Sequence, residues 1–240
     1  MISAPMLVVA PHPDDDVIGC GGSLHRAATN GIAVHVVYVT DGSASHPNSR
    51  RFPPARLAAV REAEARAALR ELSISTQPVF LRLADGALAT LPAGVKRSCA
   101  DRIAGIARAC GARTIVGPWR RDPHPDHIAT AALVELAAAA LEFKTWRLAY
   151  SVWADLRGDA TIAPSSREAT AFDVFLTPQE VEVKRRALAQ HRTQTTGLVD
   201  DDPQGFRIDA NQLAWWLRPV ERFYHLLPSK ERPDDFVRSR

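Results

Sequence analysis

Over its first 145 residues the chain alternates short apolar runs with longer helix-patterned segments, and this alternation restricts the fold more than any other feature. The runs at 5–10, 33–39, 78–83 and 113–117 are close to continuous in apolar residues, as strands covered on both faces are. Between and after them the pattern predicts helices over 17–30, 55–72, 93–110 and 127–143, the first closed by Asn30-Gly31. A βαβαβαβα order of this kind predicts an α/β protein, a Rossmann-like three-layer αβα sandwich with a mostly parallel sheet. Beyond 145 the rhythm loosens: strands are expected at 147–153 and 171–176, and a helix capped by Thr177, with Pro178 and Glu180 in its first turn, runs to about His191. Residues 158–170 and 193–206 read as polar loops. With no internal repeat or linker, one domain is expected over 1–240: core βα units to about 145, strands and a helix over 146–228 completing the site, and a polar tail over 229–240.

Charge and cysteine content narrow the function classes. The 30 basic and 27 acidic residues leave a net charge of +3, and they are interspersed, as between Arg61 and Arg70, rather than gathered into the stripe a nucleic-acid binder needs. Three cysteines, Cys20, Cys99 and Cys110, are odd in number and lack metal-knuckle spacing, which reads as reduced thiols in a cytoplasmic protein. No signal peptide is visible, and no uncharged run approaches the roughly 18 residues needed to span a bilayer.

Two short runs carry the chemistry. Pro11-His12-Pro13-Asp14-Asp15-Asp16 follows the first strand, and His124-Pro125-Asp126-His127 follows the fourth. In an open parallel sheet ligands bind at the carboxyl ends of strands, so both runs should face one crevice although more than 100 residues separate them. Imidazoles and carboxylates together suit a zinc ion, with Fe2+ or another divalent ion as an alternative. His12 and Asp15, three apart at a strand-to-helix turn, can point to one side, and Asp14 between them can take a proton from an activated water. Helix capping explains one acid there, but three adjacent acids repel one another unless a cation is present. Gly19, Gly21 and Gly22 do not read as a dinucleotide loop, because the acids occupy the turn where a pyrophosphate would sit. Close packing of that helix on the sheet is the expectation.

These runs resemble the signatures of the PIG-L/LmbE-like deacetylases, in which the first motif usually reads Ala-His-Pro-Asp-Asp-Glu. Thr40-Asp41-Gly42 resembles the family's turn after the second strand, Arg61 through Glu64 its Arg-x-x-Glu helix, and Lys184 to Gln194 its Lys…Ala…His-x-Ser/Thr-Gln helix end. The resemblance spans residues 6 to 194 and implies a zinc-dependent amidase that removes an acetyl group from an N-acetylglucosamine-type amino sugar or related small molecule. It implies metal ligands His12, Asp15 and His127, a general base Asp14, an electrostatic partner and acid His124, and an orienting role for Asp126. Arg61, Asp122 and His191 are the substrate-side candidates. Two departures stand out. Asp16 replaces the usual Glu, so any contact made by the longer side chain must be rebuilt, and Asp122 stands where some relatives carry a Tyr, free to meet a polar substrate group or to orient His124.

From the residues, a protonated His124 is expected to stabilise the oxyanion, with His124 or Asp14 delivering the proton to the leaving amine. His25 and His46 are expected at the surface, His35 in the core or against a helix, and His225 in a structural role. Trp153, Trp215 and Trp216 read as packing residues, with a sugar-binding wall as the alternative. The expected partner is a small acylated amino sugar or glycoconjugate, with homo-oligomers left open. The competing readings are a metal-dependent amidase for a non-sugar or thiol-conjugate substrate and a catalytically silent α/β binding protein.

Overall fold

The computed structural model describes residues 4–157 and 163–227. Part of the loop expected at 158–170, and the polar tail, lie outside the described residues. Four strand–helix units come first: β1 (Met6–Ala10) with α1 (Asp15–Thr29), β2 (Val34–Thr40) with α2 (Pro54–Glu71), β3 (Val79–Leu83) with α3 (Ala93–Ala109), and β4 (Thr114–Pro118) with α4 (Pro125–Ala139). Then follow β5 (Trp146–Tyr150), α5 (Ala154–Arg157), β6 (Ala169–Phe175), α6 (Pro178–Ala189), α7 (Arg192–Thr195), α8 (Ala210–Trp216) and β7 (Val220–Leu226).

All seven strands join one sheet in the order β3-β2-β1-β4-β5-β7-β6. β1 to β5 pair in parallel, and β7 runs antiparallel between β5 and β6. Thus the second portion of the chain widens the first portion's sheet. The strand over Val220–Leu226 is not expected from sequence: Glu221-Arg222 followed by Phe223-Tyr224-His225 gives neither an unbroken apolar run nor a clean alternation.

Strand parity divides the core. Met6, Val8 and Ala10 face α1, α2 and α6 with Leu24, Leu69 and Leu188, whereas Leu7 and Val9 face α3 and α4 with Ile103 and Leu133. Burial on both faces is the physical reason these strands read as unbroken apolar runs.

α1 packs as closely as its glycines imply. A Cβ on Gly19 would come within 2.2 Å of the Tyr150 ring. The helix kinks at Cys20, where φ is −150° and ψ 17°. Just beyond the kink the N–H groups of Gly22 and Ser23 donate to the two carboxylate oxygens of Glu221 at 2.9 and 2.8 Å. Lys184 Nζ donates to the same carboxylate at 2.8 Å, so one buried ion pair ties α1, α6 and β7 together.

The strand order reverses direction at β1, which neighbours both β2 and β4. A crevice therefore opens beyond the carboxyl ends of β1 and β4, between helices that leave for opposite faces. Both motifs begin there. Two surface expectations fail: His46 is 4% exposed, its ring covered by Gly205, and His25 is half-buried with Nδ1 3.2 Å from the Leu72 carbonyl. The loop after β2 is folded under the 197–208 segment, a long-range packing that local polarity does not reveal. Among the described residues no helix is long and apolar enough to cross a membrane.

Candidate active site

The turn after β1 places His12, Asp14 and Asp15 at the mouth of the crevice. His12 Nδ1 and His127 Nε2 lie 2.9 and 3.2 Å from the same oxygen, Asp15 Oδ2. Ligands held 2.0–2.1 Å from a tetrahedral zinc stand about 3.3 Å apart, so each imidazole nitrogen lies at close to that spacing from the Asp15 oxygen. His127 is fully buried, and its two nitrogens face Asp15 and Asp122 at 3.2 and 3.3 Å without hydrogen-bond alignment. Its ring is thus oriented without its hydrogen-bonding capacity being used, as suits a metal ligand. One nitrogen from each of His12, His124 and His127 falls within 4.8 Å of the others, and a nitrogen of His12 forms a similar group with oxygens of Asp85 and Asp126.

His12 and His127 each have carboxylate support. Asp126 Oδ2 and Asp85 Oδ1 lie 3.2 and 3.1 Å from His12 Nε2. Asp126 is itself held by the N–H groups of Gly86 and Leu88 at 2.8 and 3.1 Å. It therefore orients His12, across the crevice from its own helix. Asp122 is fully buried, its Oδ1 beside His127 Nδ1 and its Oδ2 accepting from the N–H groups of Val152 and Trp153. This corrects the substrate-side expectation for Asp122, whose oxygens are committed to His127 and the β5–α5 turn. His124 caps α4, its Nδ1 accepting the Asp126 N–H at 3.2 Å, which leaves Nε2 as the proton-bearing atom of a neutral ring.

Asp14 has an unusual backbone, with φ 153° and ψ −24°, a strained conformation for a residue with a side chain. Arg61, 3% exposed, reaches it from α2: Nη2 donates to Asp14 Oδ2 at 2.9 Å and to the Pro13 carbonyl at 3.0 Å, while Nη1 donates to the Gly42 carbonyl at 2.8 Å. Gly42 has φ 67°, and a Cβ there would lie 2.6 Å from the guanidinium, so the Thr40-Asp41-Gly42 turn needs its glycine twice over. Asp16 points away from the crevice, and the Tyr38 hydroxyl donates to its Oδ2 at 3.0 Å. That is the contact the shorter acid makes in this chain.

The electrostatics follow from burying many acids around few cations. Burial raises Asp14 to about 7, against the pull of Arg61. It raises Asp16 to about 7 as well, partly offset by the Tyr38 hydrogen bond. Burial opposes ionisation of Asp15 too, but the charges of His127 and His12 hold it well below the usual carboxylate range. Burial would lower both imidazoles, yet Asp126, Asp15 and Asp85 hold His12 well above its ordinary value, and Asp15 and Asp122 bring His127 to about 9. Protons on these rings balance acids that a divalent cation would otherwise balance. His124 is lowered, first by burial and then by His12 and His127.

A cavity of about 500 Å3 opens on this cluster, its lining including the polar His12, Asp14, Asp15, Arg61, Asp85 and His124 and the apolar Ile18, Trp153 and Phe206. His191 does not line it: the residue is fully buried, makes no capping hydrogen bond through its side chain, and has both ring nitrogens unpartnered. This corrects the substrate-side expectation for His191. Asp85 was missed, although Asp85-Gly86 directly follows β3, and a parallel strand ending on the same edge was the available signal. Gln194, at the end of the last motif, also lines the cavity.

A family model described as PIG-L, GlcNAc-PI de-N-acetylase, matches residues 7–138, more than half of the chain. Among solved structures, the zinc-inhibited form of teicoplanin deacetylase Orf2 aligns with TM-score 0.72 at 20% identity, covering 95% of this chain and 100% of that one. The N,N'-diacetylchitobiose deacetylase of Pyrococcus horikoshii aligns with TM-score 0.63 at 23% identity, covering 79% of this chain and 70% of that one. The 4-carboxy-2-hydroxymuconate hydratase GalB of Pseudomonas putida KT2440 aligns with TM-score 0.66 at 16% identity, covering 96% and 98%. These likenesses show a shared fold, which one neighbour uses for a different reaction. No curated protein matches the chain.

Proposed function

The chain belongs to the PIG-L, GlcNAc-PI de-N-acetylase family, and from that premise we propose that it is a divalent-metal-dependent deacetylase that hydrolyses the N-acetyl group of an N-acetylglucosamine-type amino sugar or glycoconjugate. The observation that carries the proposal is the convergence of His12 Nδ1 and His127 Nε2 on Asp15 Oδ2, with His12 and Asp15 lining the cavity. Those three residues would hold the ion, zinc in the first instance. When bound, it supplies Lewis acidity toward the acyl carbonyl and lowers the pKa of water.

The chain's own groups do the rest. Arg61 engages Asp14 Oδ2, which leaves Oδ1 to take the proton of the attacking water. His124 presents Nε2–H to the carbonyl oxygen as charge develops there. The expected cationic His124 gives way to a neutral donor in this reading, because Nδ1 already accepts a backbone N–H. Asp126 and Asp122 fix the His12 and His127 rings, the usual task of carboxylates behind ligating imidazoles. The proton gathered on Asp14 is then available to the departing nitrogen, so water and amide become acetate and the protonated amine. Asp85 on the cavity wall offers a polar contact to the sugar, while Arg61 holds Asp14. The reducing cytoplasm is the proposed compartment, in keeping with free thiols at Cys20, Cys99 and Cys110.

The test is to offer zinc-reconstituted protein a panel of N-acetylated amino sugars and simple N-acetylated amines and to measure free amine and acetate together. Equimolar release from the sugars is the expected result. Release from simple amines alone favours the non-sugar amidase reading, and release from none removes the proposal.

A further inference from the structure

The cavity lining is of two unlike kinds. Beside the acids and imidazoles it includes Ile18, Trp153 and Phe206. Trp153 and Phe206 meet edge to face, 5.8 Å between centroids at 76°. Behind Trp153 stands Trp216, edge to face at 5.2 Å, its indole nitrogen bonded to the Val152 carbonyl at 2.9 Å. Phe206 is pinned through its N–H to the Ser45 carbonyl at 2.7 Å. Both Trp153 and Phe206 are only half-buried. They therefore form a braced aromatic surface that still faces open space.

The position of this wall is tied to the catalytic groups. Asp122 accepts the Trp153 N–H through Oδ2 at 2.8 Å and faces His127 Nδ1 through Oδ1 at 3.3 Å. One carboxylate thus sets the distance between a candidate ligand ring and the aromatic wall. Gln194 is fully buried beneath the same cavity, its Nε2 donating to Ser45 Oγ at 3.2 Å and Thr193 Oγ1 at 3.1 Å. It thereby braces the Ser45 segment whose carbonyl holds Phe206.

We propose that Trp153, with Phe206 against it, selects a ring-closed amine. The C–H face of a pyranose stacks on the Trp153 indole. An open-chain amine with the same substituents presents no flat apolar face and forfeits the stacking. The inference rests on the deacetylase reading, and the test separates the two.

Zinc-loaded wild type, Trp153→Leu and Trp153→Phe are compared on methyl 2-acetamido-2-deoxy-glucoside and on its open-chain counterpart, 2-acetamido-2-deoxy-glucitol. Wild type should prefer the closed ring about tenfold in kcat/KM, the scale of one good aromatic contact. Trp153→Leu should lose that preference through KM, its loss on the closed ring exceeding its loss on the open chain about tenfold, and Trp153→Phe should recover part of it. Calorimetric binding of the two deacetylated amines to wild type gives a second measurement free of turnover and of variant folding. Ring-dependent binding without hydrolysis of either substrate would remove the deacetylase reading and keep the wall. Equal binding of both amines by wild type, or an equal loss on both substrates in Trp153→Leu, would overturn the role of Trp153.

Discussion

Arg61 donates to Asp14 Oδ2 at 2.9 Å, and both side chains are almost wholly shielded from solvent, 3% and 6% exposed. The same guanidinium spans the Pro13 and Gly42 carbonyls, so it holds the turns after β1 and β2 as well as the strained Asp14 backbone. Arg61→Met should therefore destabilise the protein by about 3 kcal/mol or more, the cost of stranding one member of a buried pair, and should abolish measurable turnover. Arg61→Lys keeps the charge but loses the fork, and should retain more stability than activity. Urea denaturation beside kcat measurements decides both.

Metal dependence separates binding from catalysis. About one divalent ion per chain is expected, removed with activity by a chelator and restored with zinc. Asp15→Asn and His127→Ala should lower metal occupancy, whereas Asp14→Asn should keep the metal and lose roughly 100-fold in kcat. Elemental analysis of each purified variant reads the first effect independently of the second. Full activity after exhaustive demetallation would end the metal-dependent reading.

His191 makes stability depend on acid. Burial pushes its pKa down to about 3, so the folded protein excludes a proton that the unfolded chain accepts near 6.5. The sign follows: stability is fully present above about 6.5 and is lost as pH falls toward 3, by at most about 1.4 kcal/mol per pH unit from this group. His191→Leu removes the titration. Its denaturation free energy, followed from pH 6 to pH 4, should fall less steeply than that of wild type, and parallel slopes would contradict the assignment.

Lys184 and Glu221 form a buried pair with 2% and 1% side-chain exposure. Lys184→Met leaves the carboxylate with only the Gly22 and Ser23 N–H groups and should cost about 3 kcal/mol. Lys184→Met combined with Glu221→Gln should recover part of that loss, because no unpaired charge remains buried. Chemical denaturation of the two variants provides the comparison.

Gly19→Ala tests the close approach of α1 to the sheet. The added methyl would fall within the Tyr150 ring, so helix or ring must move, at a cost of about 1–3 kcal/mol. A lowered melting temperature is expected, and an unchanged one would show that the kink at Cys20 absorbs the strain.

Much of the fold is legible locally. β1 to β4 and their helices appear in sequence as apolar runs and amphipathic stretches, and their ends in the structure differ by a few residues at most. β7 was illegible because pairing with β5 and β6, and not its own apolar content, makes Val220–Leu226 a strand. The site divides similarly. His12, Asp14, Asp15 and His127 could be expected together because two strand ends at a switch point share a crevice. That Asp126 serves His12 could not, because that pairing crosses between chain segments, and that Asp122 serves His127 depends on how the β4–α4 turn folds back on itself.

The sequence by itself determined the α/β alternation, the two acid–imidazole motifs and the edge of the sheet on which they meet, since strand direction and side-chain period are local properties of the chain. Only the tertiary structure decided the second contacts: Arg61 on Asp14, Tyr38 on Asp16, Glu221 on the kinked helix, Asp85 beside His12, and Trp153 in one cavity with His12 and His124. Each joins residues 18 or more positions apart, and a buried polar group takes whatever partner packing brings within reach.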